Sequence, residues 1–386
     1  TVEMQLSDNN LAFRYNIPMQ GETACVVVNG ESTGFDFPQE TTTFICPQSD
    51  PMIGWKRTKP SYEEEYQADE PIGTPSKYGH GYTFPCLFHV NKPIVNSQSS
   101  NGQSYWVLLS ETGLRGDYCG THISDGTKDG LYTIAFPMEG ENNGFGSTGA
   151  QFGLPGTTPW RTVTMGATLN PIVETTISWD VVKPLYDSKY PIEGGRSSWS
   201  WIMWQDPGVC YPDFKTYIDL AADMNWEYSL LDGGWVETVG RERMEELFAY
   251  ARTKNVAPFV WYNSNGGWND APQSAKQCMA NPVERKREMA WLQSHGVKGI
   301  KVDFFAGDKQ ETIKLYEQIL SDANDYGIQV IFHGCTLPRG WERMYPNYCS
   351  SEAVLASENL IFSQHMDDME AFNASLHPFC RNATAS

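Results

Sequence analysis

The alternation of hydrophobic and polar positions changes its period partway along the chain. Up to residue 170, short β-rich runs such as TTTFIC (41–46) and LYTIAF (131–136) are separated by clusters of Gly, Asn, Asp and Pro. Such runs are typical of an antiparallel β-sandwich. From residue 197 onward, strand-like runs alternate with amphipathic helical segments. That pattern predicts βα units and a parallel sheet.

This change divides the chain into three segments. We assign residues 1–170 to a β-sandwich, residues 171–196 to a linker and residues 197–386 to the second domain. The linker shows no clear periodicity and contains three prolines. The chain begins as if a strand were already under way and stops without a helix terminus. We therefore expect a piece of a longer protein, cut at both ends.

The second domain contains six strand-like runs, at 199–204, 227–234, 257–263, 299–305, 328–334 and 350–358. Helical segments lie between them, and the last two of these end in glycine, as helix C-termini commonly do. We interpret the six runs as the first strands of a (β/α)₈ barrel of the TIM type, truncated after about the sixth strand. An open doubly wound sheet is the structural alternative, but the chain carries no glycine-rich dinucleotide or phosphate motif.

Composition and charge limit the function classes. The chain has 386 residues, of which 40% are hydrophobic and 13% aromatic, as expected of a folded globular protein. Its formal net charge of −19 argues against a nucleic-acid or anionic-membrane partner. A neutral substrate, or a site that collects a cation such as calcium, fits this charge better. The nine cysteines form no CxxC pair, and we interpret most of them as small buried hydrophobes.

Polar side chains recur near the ends of the predicted barrel strands, where (β/α)₈ enzymes place their active sites. Lys301 and Asp303 are two positions apart, so on a strand they point to the same side. There Lys301 would keep Asp303 ionised, as a nucleophile requires. A structural ion pair is the alternative, although a buried pair adds little net stability. Further candidates stand near other strand ends, namely Asp232, Trp261, Asn263, His333, Glu352 and Glu358.

Two carboxylates presented from different strand ends are what glycoside hydrolysis requires. One attacks the sugar or activates water, and the other protonates the leaving oxygen. Carboxylates at strand ends also serve metal sites of the enolase type, so the barrel alone does not decide the reaction.

Specific motifs narrow this choice. The segments WSWIMW, LLDGGW, VWYN, GIKVDFFAGD, IFHGCTLPRGWERMYPN and SEAVLASEN, in this order, resemble glycoside hydrolase family 97, a family of bacterial α-glycosidases. SYEEEYQ and YWVLLSETGLRGDY extend the resemblance into the N-terminal half. The resemblance implies a β-sandwich, a (β/α)₈ barrel, a small C-terminal β domain and a calcium ion in the active site.

The resemblance also implies roles for individual residues. In the family's retaining branch, the nucleophile falls on Asp303 and the acid/base on Glu358. The inverting branch carries a Glu base directly after the His that ends the fifth strand, whereas this chain has His333 followed by Gly334. The chain thus resembles the retaining α-galactosidase branch, which has relatives that act on β-L-arabinopyranosides.

For calcium, the resemblance implies ligands from both domains, namely Glu111, Glu352 and Glu358, with Glu63 as a weaker candidate. Four further residues are expected to hold the sugar, namely Lys301, Asp232, Trp261 and His333.

We therefore predict a calcium-dependent, retaining exo-α-galactosidase or β-L-arabinopyranosidase that acts on an α-galactoside oligosaccharide or a related glycan. The resemblance implies a periplasmic or secreted bacterial protein. Two alternatives stay open. One is an inverting α-glucosidase of the same family, and the other is an inactive, sugar-binding fragment.

Overall fold

The computed structural model describes residues 1–91 and 104–384. The N-terminal half of this described part is built from antiparallel strands, as predicted. A large sheet has the order β1-β2-β13-β8-β7-β9-β10-β4, with β12 paired to β2 and with β5 joining β6 to β7, while β3 and β11 form a separate pair. The strands are β1 Val2–Ser7, β2 Asn10–Ile17, β3 Cys25–Val28, β4 Gly34–Asp36, β5 Thr41–Pro47, β6 Gln67–Pro71, β7 Tyr82–Val90, β8 Tyr105–Thr112, β9 His122–Ile123, β10 Leu131–Ala135, β11 Ala150–Gly153, β12 Gly156–Thr157 and β13 Trp160–Gly166.

The sandwich core is aromatic and centres on β7. Phe88 in β7 stacks on Phe37 with ring centroids 4.0 Å apart, and Tyr132 of β10 packs edge-on against Phe88. All three side chains are buried. Rings of this size bury a large apolar area each, so they anchor the sheet that carries β8 toward the second domain.

The second half forms a curled, six-stranded parallel sheet in the order β14-β15-β16-β17-β18-β19. This is the strand order of an incomplete (β/α)₈ barrel and confirms the predicted fold class. The strands are β14 Ser197–Trp199, β15 Tyr228–Leu231, β16 Ala257–Asn263, β17 Gly299–Asp303, β18 Gln329–Phe332 and β19 Tyr348–Ser351. The helices are α1 Asn170–Val173, α2 Ile177–Val181, α3 Trp201–Trp204, α4 Tyr211–Asp223, α5 Trp235–Thr238, α6 Arg241–Thr253, α7 Pro282–Ser294, α8 Gln310–Asp325, α9 Trp341–Met344 and α10 Gln364–Leu376.

Local sequence explains where the long helices begin and end. Asn281 caps α7, because its side chain accepts hydrogen bonds from the backbone N–H groups of Val283 and Glu284. Glycines with positive φ follow the ends of α7 and α8, Gly296 at +77° and Gly327 at +68°. Glycine adopts this conformation without a steric penalty, so both helices stop where the sequence predicts.

All the predicted barrel strands except β16 run past their observed ends, two of them by five residues or more. The run 199–204 is a strand only to Trp199, which is the last residue paired with β15, and then turns into α3. The run 350–358 leaves the sheet after Ser351. There the Arg381 guanidinium donates hydrogen bonds to the backbone carbonyls of Ser351, Glu352 and Ala353. These carbonyls are therefore hydrogen-bonded without a neighbouring strand.

The two halves meet through the loop after β18. Backbone N–H groups of Gly113 and Leu114, just after β8, donate to the carbonyl of Arg339, and the Trp341 indole donates to the carbonyl of Leu114. The predicted linker contains α2 and most of α1, and its boundaries stay a prediction. Within the described residues, no helix combines the length and the apolar character needed to cross a bilayer.

Candidate active site

Asp303, the last residue of β17, is buried at the C-terminal edge of the parallel sheet. The strand register places Asn263 opposite Asp303 and Trp261 opposite Lys301. From β16, the Trp261 indole donates a 2.9 Å hydrogen bond to Asp303 Oδ2. His333 Nδ1 lies 3.5 Å from the same oxygen and Lys301 Nζ lies 4.0 Å from it. The predicted side-by-side arrangement of Lys301 and Asp303 is therefore present.

The two oxygens of Asp303 differ in their surroundings. Oδ2 faces the three donors, whereas Oδ1 is buried and has no hydrogen-bond partner among the described residues. Burial opposes ionisation, but the charge and hydrogen bond of His333, the charge of Lys301 and the Trp261 indole together lower the pKa of Asp303 below its usual value. The site thus holds an anionic carboxylate with one free oxygen.

Asp232, which directly follows β15, forms a second contact with Lys301. Lys301 Nζ lies 3.4 Å from Asp232 Oδ2, and the Trp199 indole donates to that oxygen. The ammonium also lies 4.4 Å from the centroid of the Trp199 ring, a cation–π contact. Trp199 was missed as a site residue because it stands in the hydrophobic run WSWIMW. Its position at the end of the first barrel strand was the available signal.

His333 connects Asp303 with two glutamates. Its Nδ1 lies 2.9 Å from Glu352 Oε2, and its Nε2 lies 3.9 Å from Glu358 Oε2. Glu352 is the first residue after β19, and Glu358 lies on a 3₁₀-helix, Ser357–Phe362, rather than on the predicted strand. Ligand atoms of His333, Glu352 and Glu358 all lie within 4.8 Å of one another. The structure therefore brings both glutamates to the group around Asp303.

The pKa values of Asp303 and Glu358 are shifted in opposite directions, Asp303 downward and Glu358 upward. Burial and the neighbouring Glu352 carboxylate raise the pKa of Glu358 to about 8, against the opposing charge of His333. Burial alone would lower the pKa of His333, but Glu352, Glu358 and Asp303 raise it well above its ordinary value. One carboxylate that stays ionised beside another that holds a proton is the pairing that acid-assisted displacement uses.

Gly334 leaves room for the Asp303 carboxylate. A Cβ atom at position 334 would lie 2.7 Å from Asp303 Oδ1 and 3.0 Å from Phe304 Cδ1. The residue also has a φ of +46°, a conformation that side-chain-bearing residues rarely adopt. A glutamate here, as the inverting reading requires, would collide with Asp303. The geometry at Gly334 thus agrees with the sequence argument against that reading.

Glu63 in the segment SYEEEYQ is the sandwich carboxylate whose electrostatic neighbours are Glu358, His333 and Asp303. It is partly buried. Burial and the negative charges of Glu358 and Asp303 raise its pKa to about 7. Its flanking residue Tyr62 donates a hydrogen bond to Asp308, in the loop that follows β17. Because this placement depends on contacts between the domains, the sequence alone indicates Glu63 only weakly.

The structure does not bring Glu111 to this group. Thr121 donates its backbone N–H to Glu111 Oε1 at 2.8 Å and its hydroxyl to Oε2 at 2.6 Å. Arg339 pairs with Oε1 and Arg161 pairs with Oε2, and all three charged side chains are buried. Both carboxylate oxygens are therefore occupied by donors, which leaves Glu111 poorly suited to bind a metal ion.

The chemistry of the remaining carboxylates fits a hard cation. Glu352 Oε1 is buried and, among the described residues, has no hydrogen-bond partner. Calcium prefers several oxygen ligands, often carboxylates drawn from separate chain segments. Glu352, Glu358 and Glu63 could supply such oxygens from the barrel and the sandwich.

Comparison with known proteins places these features in a family. The family model described as Glycosyl-hydrolase 97 N-terminal matches residues 1–184, and the model described as Glycoside hydrolase 97 matches residues 193–354. A probable retaining alpha-galactosidase of Streptomyces bingchenggensis is 25% identical over 99% of this chain, and a retaining alpha-galactosidase of Bacteroides thetaiotaomicron is 28% identical over 61% of it.

Solved structures give the same result. A crystal structure of a beta-arabinopyranosidase is 59% identical, with a TM-score of 0.95 over the whole of this chain. A family 97 enzyme from Pseudoalteromonas sp. strain K8, solved in complex with panose, shares the fold with a TM-score of 0.76 at 17% identity. The chain spans 53% and 36% of the two curated relatives, and 60% and 59% of these two structures. The chain belongs to glycoside hydrolase family 97.

Proposed function

We propose that the protein containing this chain is a calcium-dependent, retaining exo-glycosidase that removes an α-D-galactosyl or a β-L-arabinopyranosyl unit from a glycan. The observation that carries the proposal is the free Oδ1 of Asp303, held beside the side-chain-free Gly334 while Oδ2 is fixed by Trp261, His333 and Lys301. This is the setting that an attacking carboxylate needs, because one oxygen is immobilised and the other remains available.

The reaction would proceed by two displacements. Asp303 Oδ1 attacks the anomeric carbon while the bond to the leaving oxygen breaks, and Glu358 gives its proton to that oxygen. In the second step Glu358 takes a proton from water, and the water oxygen attacks the anomeric carbon. The bond to Asp303 then breaks, the carboxylate is restored, and the sugar leaves with its anomeric configuration kept.

The buried ion pair of Asp232 and Lys301 would hold the sugar. Asp232 and Lys301 offer an acceptor and a donor 3.4 Å apart, both buried and aligned by the Trp199 indole. Hydroxyl groups of a pyranose satisfy both kinds of partner. Buried polar groups that would otherwise lack partners discriminate strongly against a sugar without the matching hydroxyl. Trp261 and His333 would add contacts while they position Asp303.

Calcium would be held by Glu352 and Glu63, with Glu358 beside the ion but free to carry the proton that the reaction needs. When bound, it would offset the negative charge that these carboxylates concentrate around His333 and would orient a sugar hydroxyl. The proposal replaces Glu111 with Glu63 as the sandwich ligand, because Glu111 is already occupied by Arg161 and Arg339. We also propose an exported, periplasmic or secreted protein, as the family resemblance implies.

The full-length protein is expected to hydrolyse an aryl α-D-galactoside or an aryl β-L-arabinopyranoside with retention. These sugars differ only in the hydroxymethyl group, so both substrates should be compared by kcat/KM. The 59% identity to a beta-arabinopyranosidase favours the second sugar. The first-formed product should be followed by proton NMR, which distinguishes the two anomers. Formation of the inverted anomer first would contradict the assignment of Asp303, and binding without turnover would support a sugar-binding protein instead.

Removal of calcium with a chelator is expected to lower the hydrolysis rate, and added calcium should restore it. Glu352→Gln and Glu63→Gln should each raise the calcium concentration for half-maximal activity by at least about tenfold, as loss of a metal-site group commonly does. The matched control is Glu111→Gln. It should lower the free energy of unfolding by about 3–5 kcal/mol, because it breaks a buried ion pair, and leave the calcium requirement unchanged. A shifted calcium requirement in Glu111→Gln alone would restore Glu111 as the ligand.

A further inference from the structure

A row of aromatic rings leads from Asp303 to the protein surface. The buried Trp261 ring contacts the Phe304 ring edge-on, with centroids 5.9 Å apart, and the Phe304 ring contacts Trp55, with centroids 5.5 Å apart. Exposure rises outward along this row, from 2% for Trp261 to 52% for Trp55. Phe304 also borders the free oxygen of Asp303, since both lie within about 3 Å of the position that a Cβ of Gly334 would take.

Phe304 is held in an unfavourable conformation. Its φ is +68°, which is a genuine outlier for a bulky residue. Three donors converge on its carbonyl oxygen, the Ser264 hydroxyl at 2.8 Å, the Asn269 amide at 2.9 Å and the Trp268 indole at 3.3 Å. Strain of this kind persists where surrounding contacts enforce it, and it concentrates at functional sites. These contacts therefore fix the Phe304 backbone, from which its ring projects, next to Asp303.

Trp55 comes from the other domain and is fixed as firmly. It begins a short 3₁₀-helix, Trp55–Arg57, between β5 and β6. Arg57 makes a two-pronged ion pair with Asp270 of the barrel, at 2.6 and 2.9 Å, and also donates to Asn143 at 2.9 Å. The backbone N–H of Asp270 donates to the carbonyl of Lys56 at 2.9 Å. These contacts hold the segment that carries Trp55 against the barrel, while the Trp55 ring stays half-exposed beside Phe304.

We propose that Trp55 and Phe304 form the subsite for the leaving group, where the sugar unit next to the scissile bond packs on their ring faces. This inference deepens the proposed function and depends on it. The charged pair Lys301–Asp232 provides polar partners for the sugar that is cleaved. The aromatic rim offers apolar ring faces, which suit the apolar face of a pyranose or an aryl group. In an exo-acting enzyme the leaving group extends from the scissile bond toward solvent, and this row of rings likewise runs from the buried site toward solvent.

The test compares substrates with and without a leaving group that can pack on the rim. In the full-length protein, Trp55→Ala should lower kcat/KM about tenfold for a disaccharide or an aryl glycoside, the size expected for one lost ring contact. Hydrolysis of the corresponding glycosyl fluoride should stay within about twofold of wild type, because fluoride is too small to reach Trp55. Trp55→Phe keeps an aromatic face and should recover most of the lost activity.

Tyr190→Ala is the matched control. This partly exposed aromatic hydrogen-bonds Gln293 near the C-terminal end of α7, at the opposite end of the sheet, so the variant should match wild type on every substrate. An equal loss on fluoride and disaccharide in Trp55→Ala, or no loss on either, would overturn the subsite while wild-type turnover still supports the proposed function. If wild type hydrolyses neither substrate, the proposed function fails and the subsite falls with it.

Discussion

Asp303→Ala is expected to lower kcat/KM for an aryl glycoside by at least about 10⁴-fold, the scale seen when a covalent nucleophile is removed. Glu352, whose Oε2 accepts a hydrogen bond from the Gly334 N–H, also has an oxygen without a partner, but it is proposed as a calcium ligand, so we expect it not to take over the attack. Azide, a small anion that fits the space left by the Asp303 carboxylate, would identify Asp303 as the nucleophile. Azide should restore turnover of an activated substrate and give a glycosyl azide of inverted configuration, because it attacks directly where Asp303 attacked.

Asp303→Asn and Asp325→Ala complete this experiment. Asparagine keeps the acceptor for the Trp261 indole, so it should fold like wild type and still lack activity. Asp325 is an exposed carboxylate at the end of α8 that pairs with Lys189, and its removal should leave the rate unchanged. An Asp303→Ala protein that stays active without azide would exclude Asp303 as the nucleophile.

Two of the strands that are flanked on both sides by other strands were predicted well. The run APFVWYN matches β16 residue for residue, and GIKVDFF matches β17 up to Asp303. A buried parallel strand is apolar on both faces, so its sequence shows where it begins and ends. The glycines after α7 and α8 likewise indicate from local sequence alone where these helices end.

The errors lie where long-range contacts replace local signals. The last run was extended to Glu358, because nothing in SSEAVLASE indicates that Arg381 takes up the carbonyls after Ser351. The same dependence on distant contacts applies to the sandwich residues, whose metal-binding roles stay predictions. Glu111 follows a clear strand pattern, yet its partners Arg161 and Arg339 come from β13 and from the barrel. Trp55 carries no periodic signal, and only the packed domains show that it reaches the site.

The charged core of the site shows the opposite case, in which sequence spacing was sufficient. Lys301, Asp303 and His333 were placed together because parallel strands end at one edge. Asp303 Oδ2 lies 4.0 Å from Lys301 Nζ and 3.5 Å from His333 Nδ1, as the register favours, since β16, β17 and β18 pair without interruption up to Phe332. Glu358 reaches the same group from a 3₁₀-helix, so its position depends on a turn that register does not determine.

Glu358→Ala is expected to reduce activity in proportion to the basicity of the leaving group. With a sugar leaving group, which needs a proton, kcat/KM should fall by about 10²–10⁴-fold, the usual contribution of a general acid. With a dinitrophenyl leaving group, which departs as an anion, the first step should change little and the covalent intermediate should accumulate. A burst of dinitrophenol, followed by slow turnover, would report this accumulation.

Azide also distinguishes the role of Glu358 from that of Asp303. In Glu358→Ala it should attack the intermediate formed on Asp303 and give a glycosyl azide of retained configuration, opposite to the product from Asp303→Ala. Glu352→Ala is the neighbour control, since Glu352 also lies beside His333 but is proposed to act through calcium. It should lose activity on all leaving groups alike. If Glu352→Ala showed the leaving-group dependence and Glu358→Ala did not, the proton donor would be Glu352, and the 3₁₀-helix would serve only to close the site.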